Sequence, residues 1–326
     1  MADEVRPHTD VARTMSLAGL VGQLRREVVS PEPGVAEPAL ALLAAAVRAG
    51  VRGADPSSWW ALRDVTTVAP VRRPDEPVHV SPSKVTYFSE CALRWFLTSV
   101  GGDGVALGAA SVGTFVHDIV AELPDAPLEV LDREVDARWG RLGLPSGWVT
   151  DRTRRQAHDM VARYVAYRES VAGEWEPVGV ETQFRVRIGR AVVAGRVDRI
   201  ERDRRGRLRI VDLKTGTSKP TKAELERHGQ LGAYQVAVEA DGFPSLGNAS
   251  AGAALVHIGR GGLAALRPAV LSQGALAESS EPGWARALVE ATAEAMGGAS
   301  FIASQGSCRT CPVKSSCPVQ PEGDAL

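Results

Sequence analysis

Lysine is nearly missing from this chain. Its 326 residues hold 38 lysines and arginines, and just five of these are lysine: Lys84, Lys214, Lys219, Lys222 and Lys314. Three of the five fall within or just after one short stretch, which marks Lys214 as a selected residue. Net charge is missing too. At -1 overall, bulk charge gives a polyanion no reason to approach, so any nucleic-acid affinity has to come from local clusters. Long apolar runs are absent: the longest, Ala39 to Val47, is too short to span a bilayer, and no membrane partner is expected. The opening M-A-D-E-V-R-P-H-T-D has neither a basic n-region nor an apolar h-region, so no secretory signal is read. Neither G-x-x-x-x-G-K-[ST] nor a close variant occurs, which excludes a P-loop motor within this sequence. Cysteines number four. With no export signal they imply a reducing, cytoplasmic setting, where metal or cluster ligation is favoured over disulfides.

What is present suits an ordinary soluble fold. A hydrophobic content of 44% and a mean hydropathy of -0.08 provide an adequate core. The length fits one α/β domain with a helical extension. The stretch from Gly195 to Gly216 organises the rest. It reads G-R-V-D-R-I, a charged turn from Glu201 to Gly206, then R-L-R-I-V-D-L-K-T-G. Two alternating apolar runs around a polar turn with glycine predict a β-hairpin. Alternation puts Asp212 and Lys214 on one face and Leu213 on the other. Asp198, on the partner strand, comes within reach of Asp212 across the ladder. Two carboxylates and an ammonium therefore converge at a strand end. Such a group suits Mg²⁺ or Mn²⁺, which take carboxylate oxygens, water and substrate phosphate. A bound ion relieves the repulsion between the carboxylates and activates water, while Lys214 supplies a point charge for the water or the developing phosphorane. Arg196, Arg199, Arg202, Arg204, Arg205, Arg207 and Arg209 crowd the same hairpin and are candidates for holding phosphates.

Along the rest of the chain, residues 10–29 and 35–50 have helical periodicity, broken by S-P-E-P-G. Asp55-Pro56-Ser57-Ser58 predicts the cap of a short helix bearing Trp59 and Trp60. The Arg/Pro-rich Ala69 to Pro77 reads as a linker, which divides a helical extension (1–77) from the main domain (78–326). Ser81 and Pro82 open a helix running through Phe96 and carrying Cys91. Gly108 to Leu123 is amphipathic and holds His117, a residue type that on a helix is more often packed than a ligand. Residues 126–141 and 150–172 predict further helices around a Pro145-Ser146-Gly147 break. In the second of these, Arg152, Arg154 and Arg155 either meet DNA or form a solvated face. From Glu174 the period becomes that of a strand, up to Ile188, and the Asp198 strand follows. Thr221 to Ala240 predicts one helix with Gln230 and Tyr234 on a shared face. Ala253 to Ile258 and Leu263 to Val270 predict strands joined by a G-R-G-G turn, and Trp284 to Met296 a last helix.

At G-R-V-D-R-I and V-D-L-K-T-G the sequence resembles the PD-(D/E)XK nucleases, in particular their RecB-like branch. The resemblance runs from about Val80 to Pro318. It implies a restriction-endonuclease-like α/β core, a central mixed sheet flanked by helices. The segment G-T-F-V-H-D-I-V is similar to the branch's first motif, which implies His117 as an additional metal ligand. Glu181 corresponds to the family's acidic residue on the first strand, and Q-L-G-A-Y to its Q-x-x-x-Y motif. Gln230 and Tyr234 are then expected to position Lys214, the water or the scissile strand. The Leu213 carbonyl is a further candidate ligand.

The tail S-C-R-T-C-P-V-K-S-S-C-P carries Cys308, Cys311 and Cys317, and Cys91 is the one remaining cysteine. Four thiolates serve zinc or an iron–sulfur cluster alike, so spacing leaves the choice open. The resemblance to RecB-like nucleases of the AddB and Cas4 kind, and to the nuclease region of actinobacterial helicase–nucleases, implies a [4Fe–4S] clasp. Cys91 precedes every candidate catalytic residue and the others follow them, so the clasp closes a loop worth roughly 4–5 kcal/mol in a chain-entropy account. The expected function is a metal-dependent DNA exonuclease working on single-stranded or duplex ends in recombination and double-strand break repair, beside a helicase or fused to one. The alternative is a cluster-bearing DNA-binding or assembly subunit that no longer cuts. A zinc-clasped fold acting on another substrate is the third reading.

Overall fold

The computed structural model describes residues 17–30, 32–58, 67–103, 112–216, 218–259, 267–304 and 308–317. These form two compact units. The first comprises Met1–Ala69, Cys91–Asp103 and Phe301–Leu326, the second Pro70–Glu90 and Gly104–Ser300. The units are therefore interleaved along the chain.

In the first unit, α1 (Leu17–Val28) and α2 (Ala36–Arg48) bury Val21, Leu24, Ala39 and Leu43 against one another together with Ala54. The Asp55 carboxylate accepts from the Ser57 amide and starts a 3-10 turn, Pro56–Ser58. Trp59 and Trp60 lie outside the described residues. Elsewhere in this unit, α4 (Ala92–Ser99) stacks Phe96 on Phe301 with ring centroids 4.4 Å apart. The Leu93 amide there donates to the Ile302 carbonyl.

The second unit is built on a six-stranded mixed sheet. Its strands are β1 (Val78–Val80), β2 (Glu176–Ile188), β3 (Ala191–Arg202), β4 (Leu208–Lys214), β5 (Ser250–His257) and β6 (Ala269–Gln273), in the order β1-β3-β4-β5-β6 with β2 also paired to β3. The hairpin is present: Glu201 pairs with Arg209 and Arg202 with Leu208, and Gly206 takes the left-handed conformation its turn needs. Beyond it β4 runs parallel to β5, and β5 antiparallel to β6. β1 lies along Ala191–Val193 of β3 and β4 along Arg199–Arg202, which leaves a gap beside residues 194–198.

Three helices cover the face of β4 that carries Val211 and Leu213: α5 (Val112–Glu122), α6 (Leu128–Arg138) and α7 (Trp148–Val171). Val116, Ile119, Leu131, Val135, Val161 and Tyr164 fill the layer between. The other face takes α9 (Gly229–Glu239), buried along almost its whole length, which explains its lack of an amphipathic pattern. A side chain at Gly232 would come within 2.8 Å of Trp284 and Ala285 of α10 (Trp284–Gly297), so a glycine is needed for the two helices to approach.

Several expectations are corrected. The helix expected from Ser81 to Phe96 is two helices, α3 (Pro82–Glu90) and α4. Cys91 between them is extended (φ -164, ψ 107), and its sulfur caps α4 by accepting from the Arg94 amide at 3.4 Å. The helix expected from Thr221 to Ala240 is likewise α8 (Lys222–Glu226) followed by α9. Thr221 and Glu224 form a capping box on α8, and His228 precedes α9 in extended conformation. Residues 70–77 are no loose linker. The Val71 and Arg72 amides bond to the Gly298 and Gly297 carbonyls, and the Arg190 guanidinium reaches the carbonyls of Arg72, Arg73 and Glu76. Of the expected strand Leu263 to Val270, residues 263–266 lie outside the described residues, and the strand observed is β6.

The hairpin arginines are also corrected, because most of them face inward or pair locally. Glu201 is fully buried and receives Arg199 Nε at 2.9 Å, Arg209 Nη2 at 2.6 Å and the Tyr167 hydroxyl at 3.0 Å. Arg209 also stacks on Trp175. Arg207 pairs with Asp203 and Glu278, and Arg196 with Glu181. The contacts of Tyr167 with Glu201 hold α7 to the sheet, and Arg199 and Arg209 are buried there, away from any phosphate at the surface.

Candidate active site

The site forms where β3 and β4 part. Arg199 pairs with Val211 and Ile200 with Ile210, so the next step along the two strands puts Asp198 opposite Asp212. The ladder ends there, and Asp198 Oδ2 instead accepts from the Leu213 amide at 2.7 Å. β4 continues on β5, where Lys214 pairs with His257. The two carboxylates and the ammonium thus occupy one face at the edge of the 194–198 gap, as the alternation predicts.

Asp212 is buried and held from three sides. Its Oδ2 lies 2.8 Å from Lys214 Nζ, and its Oδ1 accepts from Gln230 Nε2 at 2.7 Å and from the Tyr234 hydroxyl at 2.9 Å. Lys214 Nζ in turn donates to Gln230 Oε1 at 3.1 Å. Gln230 and Tyr234, one turn apart on α9, therefore fix both the acid and the amine, and a contact of 3.3 Å joins them to each other. Burial, followed by the Asp212 charge, pushes the Tyr234 hydroxyl well above its ordinary value, so it stays a donor.

Asp198 is less well compensated. Burial and then the Asp212 charge push its carboxyl up to about 6, against the opposing pull of His117 and the Leu213 amide. His117 Nδ1, from α5, lies 3.8 Å from Asp198 Oδ1. Glu181 lies opposite Asp198 on β2, since its neighbours Val180 and Thr182 pair with Arg199 and Val197. Its φ of 47 takes it out of the regular alternation, and its carboxylate sits 2.6 Å from Arg196 Nε. It faces Arg196, while its charge still adds to the load on Asp198. Leu213 contributes its amide to Asp198, and its side chain enters the helical layer. Among the described residues, no three His, Cys, Asp or Glu side chains are gathered tightly enough to grip a cation as they stand. The raised Asp198 nevertheless fits a site for one: the two carboxylates face each other, the one ammonium pairs with Asp212, and a divalent ion is what such a pair lacks.

Sequence reasoning missed four neighbours. Thr86 Oγ1 accepts from the Gln230 amide at 3.0 Å and anchors the start of α9. His257 is buried beside Lys214 in the ladder, and burial, then the lysine charges, holds it below its ordinary value; His228 is lowered by burial and then by Lys214. Both imidazoles stay neutral and leave the ammonium as the local cation. Gly259, just past β5, approaches the Thr215 carbonyl so closely that no side chain fits. None of these stands in a motif, and only the strand register brings His257 and Gly259 to the site.

The four cysteines all lie in the first unit and are free thiols. The Ser304 amide donates to Cys91 Sγ at 3.5 Å, and Cys308 Sγ is 3.9 Å from the Ser304 carbonyl. Two backbone N–H groups, of Arg94 and Ser304, therefore point at the Cys91 sulfur. Cys308 opens one 3-10 turn (Cys308–Thr310), Cys311 follows it directly, and Cys317 follows a second (Lys314–Ser316).

Among known families, residues 79–318 match the PD-(D/E)XK nuclease superfamily. A search of the curated proteins finds no match. Among solved structures, the crystal structure of SSO0001 is similar with a TM-score of 0.35 and 16% identity, over 76% of this chain and 89% of that one. Among the described residues, no helix is long and apolar enough to cross a membrane.

Proposed function

The chain belongs to the PD-(D/E)XK nuclease superfamily, and from that premise we propose that it is a metal-dependent deoxyribonuclease that hydrolyses phosphodiesters as an exonuclease at DNA ends. The observation that carries the reading is the meeting of Asp198, Asp212, Lys214, Gln230 and Tyr234 at one strand end. Asp198, Asp212 and His117, with the Leu213 carbonyl, would hold Mg²⁺ or Mn²⁺. When bound, the ion supplies Lewis acidity and a more acidic water.

The chain's own groups do the rest. The Lys214 ammonium, aimed by Asp212 and Gln230, donates to the attacking water or to the charge that grows on the non-bridging oxygens. Tyr234 and Gln230 keep the Asp212 carboxylate from rotating, so its second oxygen stays aimed at Lys214 and the site. Glu181 adds negative potential beside Asp198, which strengthens the call for a cation.

Cys91, Cys308, Cys311 and Cys317 are proposed as the ligands of a [4Fe–4S] cluster. The approach of Cys91 and Cys308 to one residue, Ser304, supports this. The cluster acts as a clasp, with residues 78–326 as the nuclease domain and 1–77 as its helical extension. The cellular role follows the resemblance: processing of DNA ends in recombination and break repair, in the cytoplasm, with a helicase partner or a fused motor. The test is a cleavage assay on linear duplex and single-stranded DNA with Mg²⁺ or Mn²⁺. Parent protein cuts; Asp212→Asn and Lys214→Ala do not. Equal cutting by all three sinks the assigned centre. Anaerobic purification with an iron count tests the clasp in parallel, because a zinc-bound protein carries no iron and no visible chromophore.

A further inference from the structure

The first half of α7 leads away from the sheet. Arg163 Nη1 donates to the carbonyl of Ile258, one residue past His257, which ends β5 and pairs with Lys214 at the end of β4. Tyr167, one turn later, reaches Glu201 near the opposite end of the sheet. The helix therefore enters from the side of the active site. Its first residue lies fifteen positions before Arg163, about 22 Å further out at the usual rise. Ala157, Met160 and Val161 tie this half to the layer shared with α5, the helix of His117.

Its outward face is unusual. Trp148 is 74% exposed and Val149 57%, at the very start of the helix. An exposed tryptophan on a chain with seven of them stands apart from the scattered aliphatic residues a surface normally shows. Arg152 and Arg155 follow at helical spacing on the same side, both exposed, and neither has an ion-pair partner among the described residues. Arg154, between them, is locked onto Asp136. Asp159 closes the stripe, turned to Arg163 at 3.6 Å, and Asp151 flanks it. An indole followed by two unpaired guanidinium groups matches a base face followed by two phosphates. Along a duplex the base faces stay stacked, and only the terminal pairs present one.

We propose that Trp148, Arg152 and Arg155 form a landing stripe for single-stranded DNA, which stacks one base on the indole and feeds the strand toward the Asp212 site. The proposal takes the nuclease reading as its frame and adds the strand state of the substrate. It is tested by fluorescence anisotropy of a labelled oligodeoxynucleotide of about 16 nucleotides, single-stranded and then annealed to its complement. The full-length protein is held in EDTA so that binding is read without cutting. Trp148→Ala is expected to weaken single-strand binding by about 5- to 150-fold, the range given by the loss of one stacked base. Duplex binding should stay within about twofold, and Trp148→Phe should keep most of the single-strand affinity. Replacing both arginines by alanine should lower the slope of log affinity against log salt by about 1.4. All these side chains are exposed, and circular dichroism checks that the variants fold as the parent does. Unchanged single-strand binding by Trp148→Ala overturns the proposal. So does equal weakening on duplex, or a parent with no measurable affinity at low salt. A parent that shows the Trp148 effect yet cuts nothing with Mg²⁺ or Mn²⁺ defeats the nuclease reading and leaves the stripe standing. A parent that cuts while Trp148→Ala binds and cuts single strands equally well does the reverse.

Discussion

Replacing Asp198 by asparagine should stabilise the metal-free protein while abolishing its activity. In the metal-free fold the Asp198 carboxyl is pushed from an ordinary 3.8 up to about 6, by burial first and by Asp212 second. Between those values the folded chain keeps a proton that the unfolded chain has released. The stability this group contributes is therefore fully present below 3.8, falls as pH rises, and is lost above about 6. A rise of about two units corresponds to about 3 kcal/mol at neutral pH, an upper figure because one-fifth of the side chain meets solvent. Asparagine removes the charge and keeps an acceptor for the Leu213 amide. At pH 7.5 in EDTA, Asp198→Asn should melt higher than the parent by roughly 5–10 °C. Near pH 4 the two should nearly coincide. Adding Mg²⁺ or Mn²⁺ should raise the parent's midpoint with metal concentration and leave the variant's unmoved. A variant less stable than the parent at pH 7.5, or one that gains as much from metal, refutes the argument that Asp198 is a strained ligand awaiting a cation.

Three further substitutions probe other parts of the fold. Tyr234→Phe deletes a buried hydrogen bond to Asp212 and should cost about 1–2 kcal/mol in urea unfolding; its cleavage rate should fall, and parent-like activity would rule out a positioning role. Gly232→Ala forces a methyl group against Trp284 and Ala285 and should cost about 1–3 kcal/mol, read as an earlier melting midpoint, with no change if the two helices can simply move apart. Glu201→Gln leaves Arg199 and Arg209 buried around a neutral partner and should cost about 3–5 kcal/mol, with the metal dependence of melting untouched.

What the sequence made legible was whatever depends on period and short spacing. Alternation in V-D-L-K placed Asp212 and Lys214 on one face, and the i, i+4 spacing of Gln230 and Tyr234 placed both on the inner face of α9. Failures came where a local signal was overruled by long-range contacts. Cys91 sits in an apolar pattern that continues through Phe96, so nothing local announces that its backbone turns extended there. Residues 70–77 have a linker's composition, yet Arg190, more than a hundred positions later, ties them down. Glu181 aligns with a family motif, but its left-handed backbone and its pairing with Arg196 follow from the β2–β3 register, which composition does not encode. His257 could not be singled out before the parallel pairing of β4 with β5 was known.

The arginine-rich hairpin shows why charge content alone misleads. β3 and β4 carry two ionic groups, on opposite faces and toward opposite ends. One is Glu201 with Arg199, Arg209 and Tyr167, in which every acid oxygen has a donor within 3.0 Å. The other is Asp198 with Asp212, Lys214 and His117, in which the one ammonium pairs with Asp212 and the imidazole stops 3.8 Å from Asp198. A complete set of partners makes the first group structural: removing its acid should weaken the fold. Surplus negative charge makes the second a site in waiting, and removing its acid should strengthen the fold. The two neutralising substitutions, three residues apart on the same strand, are therefore expected to move stability in opposite directions at neutral pH. That sign difference separates binding machinery from scaffold without any assay of cleavage.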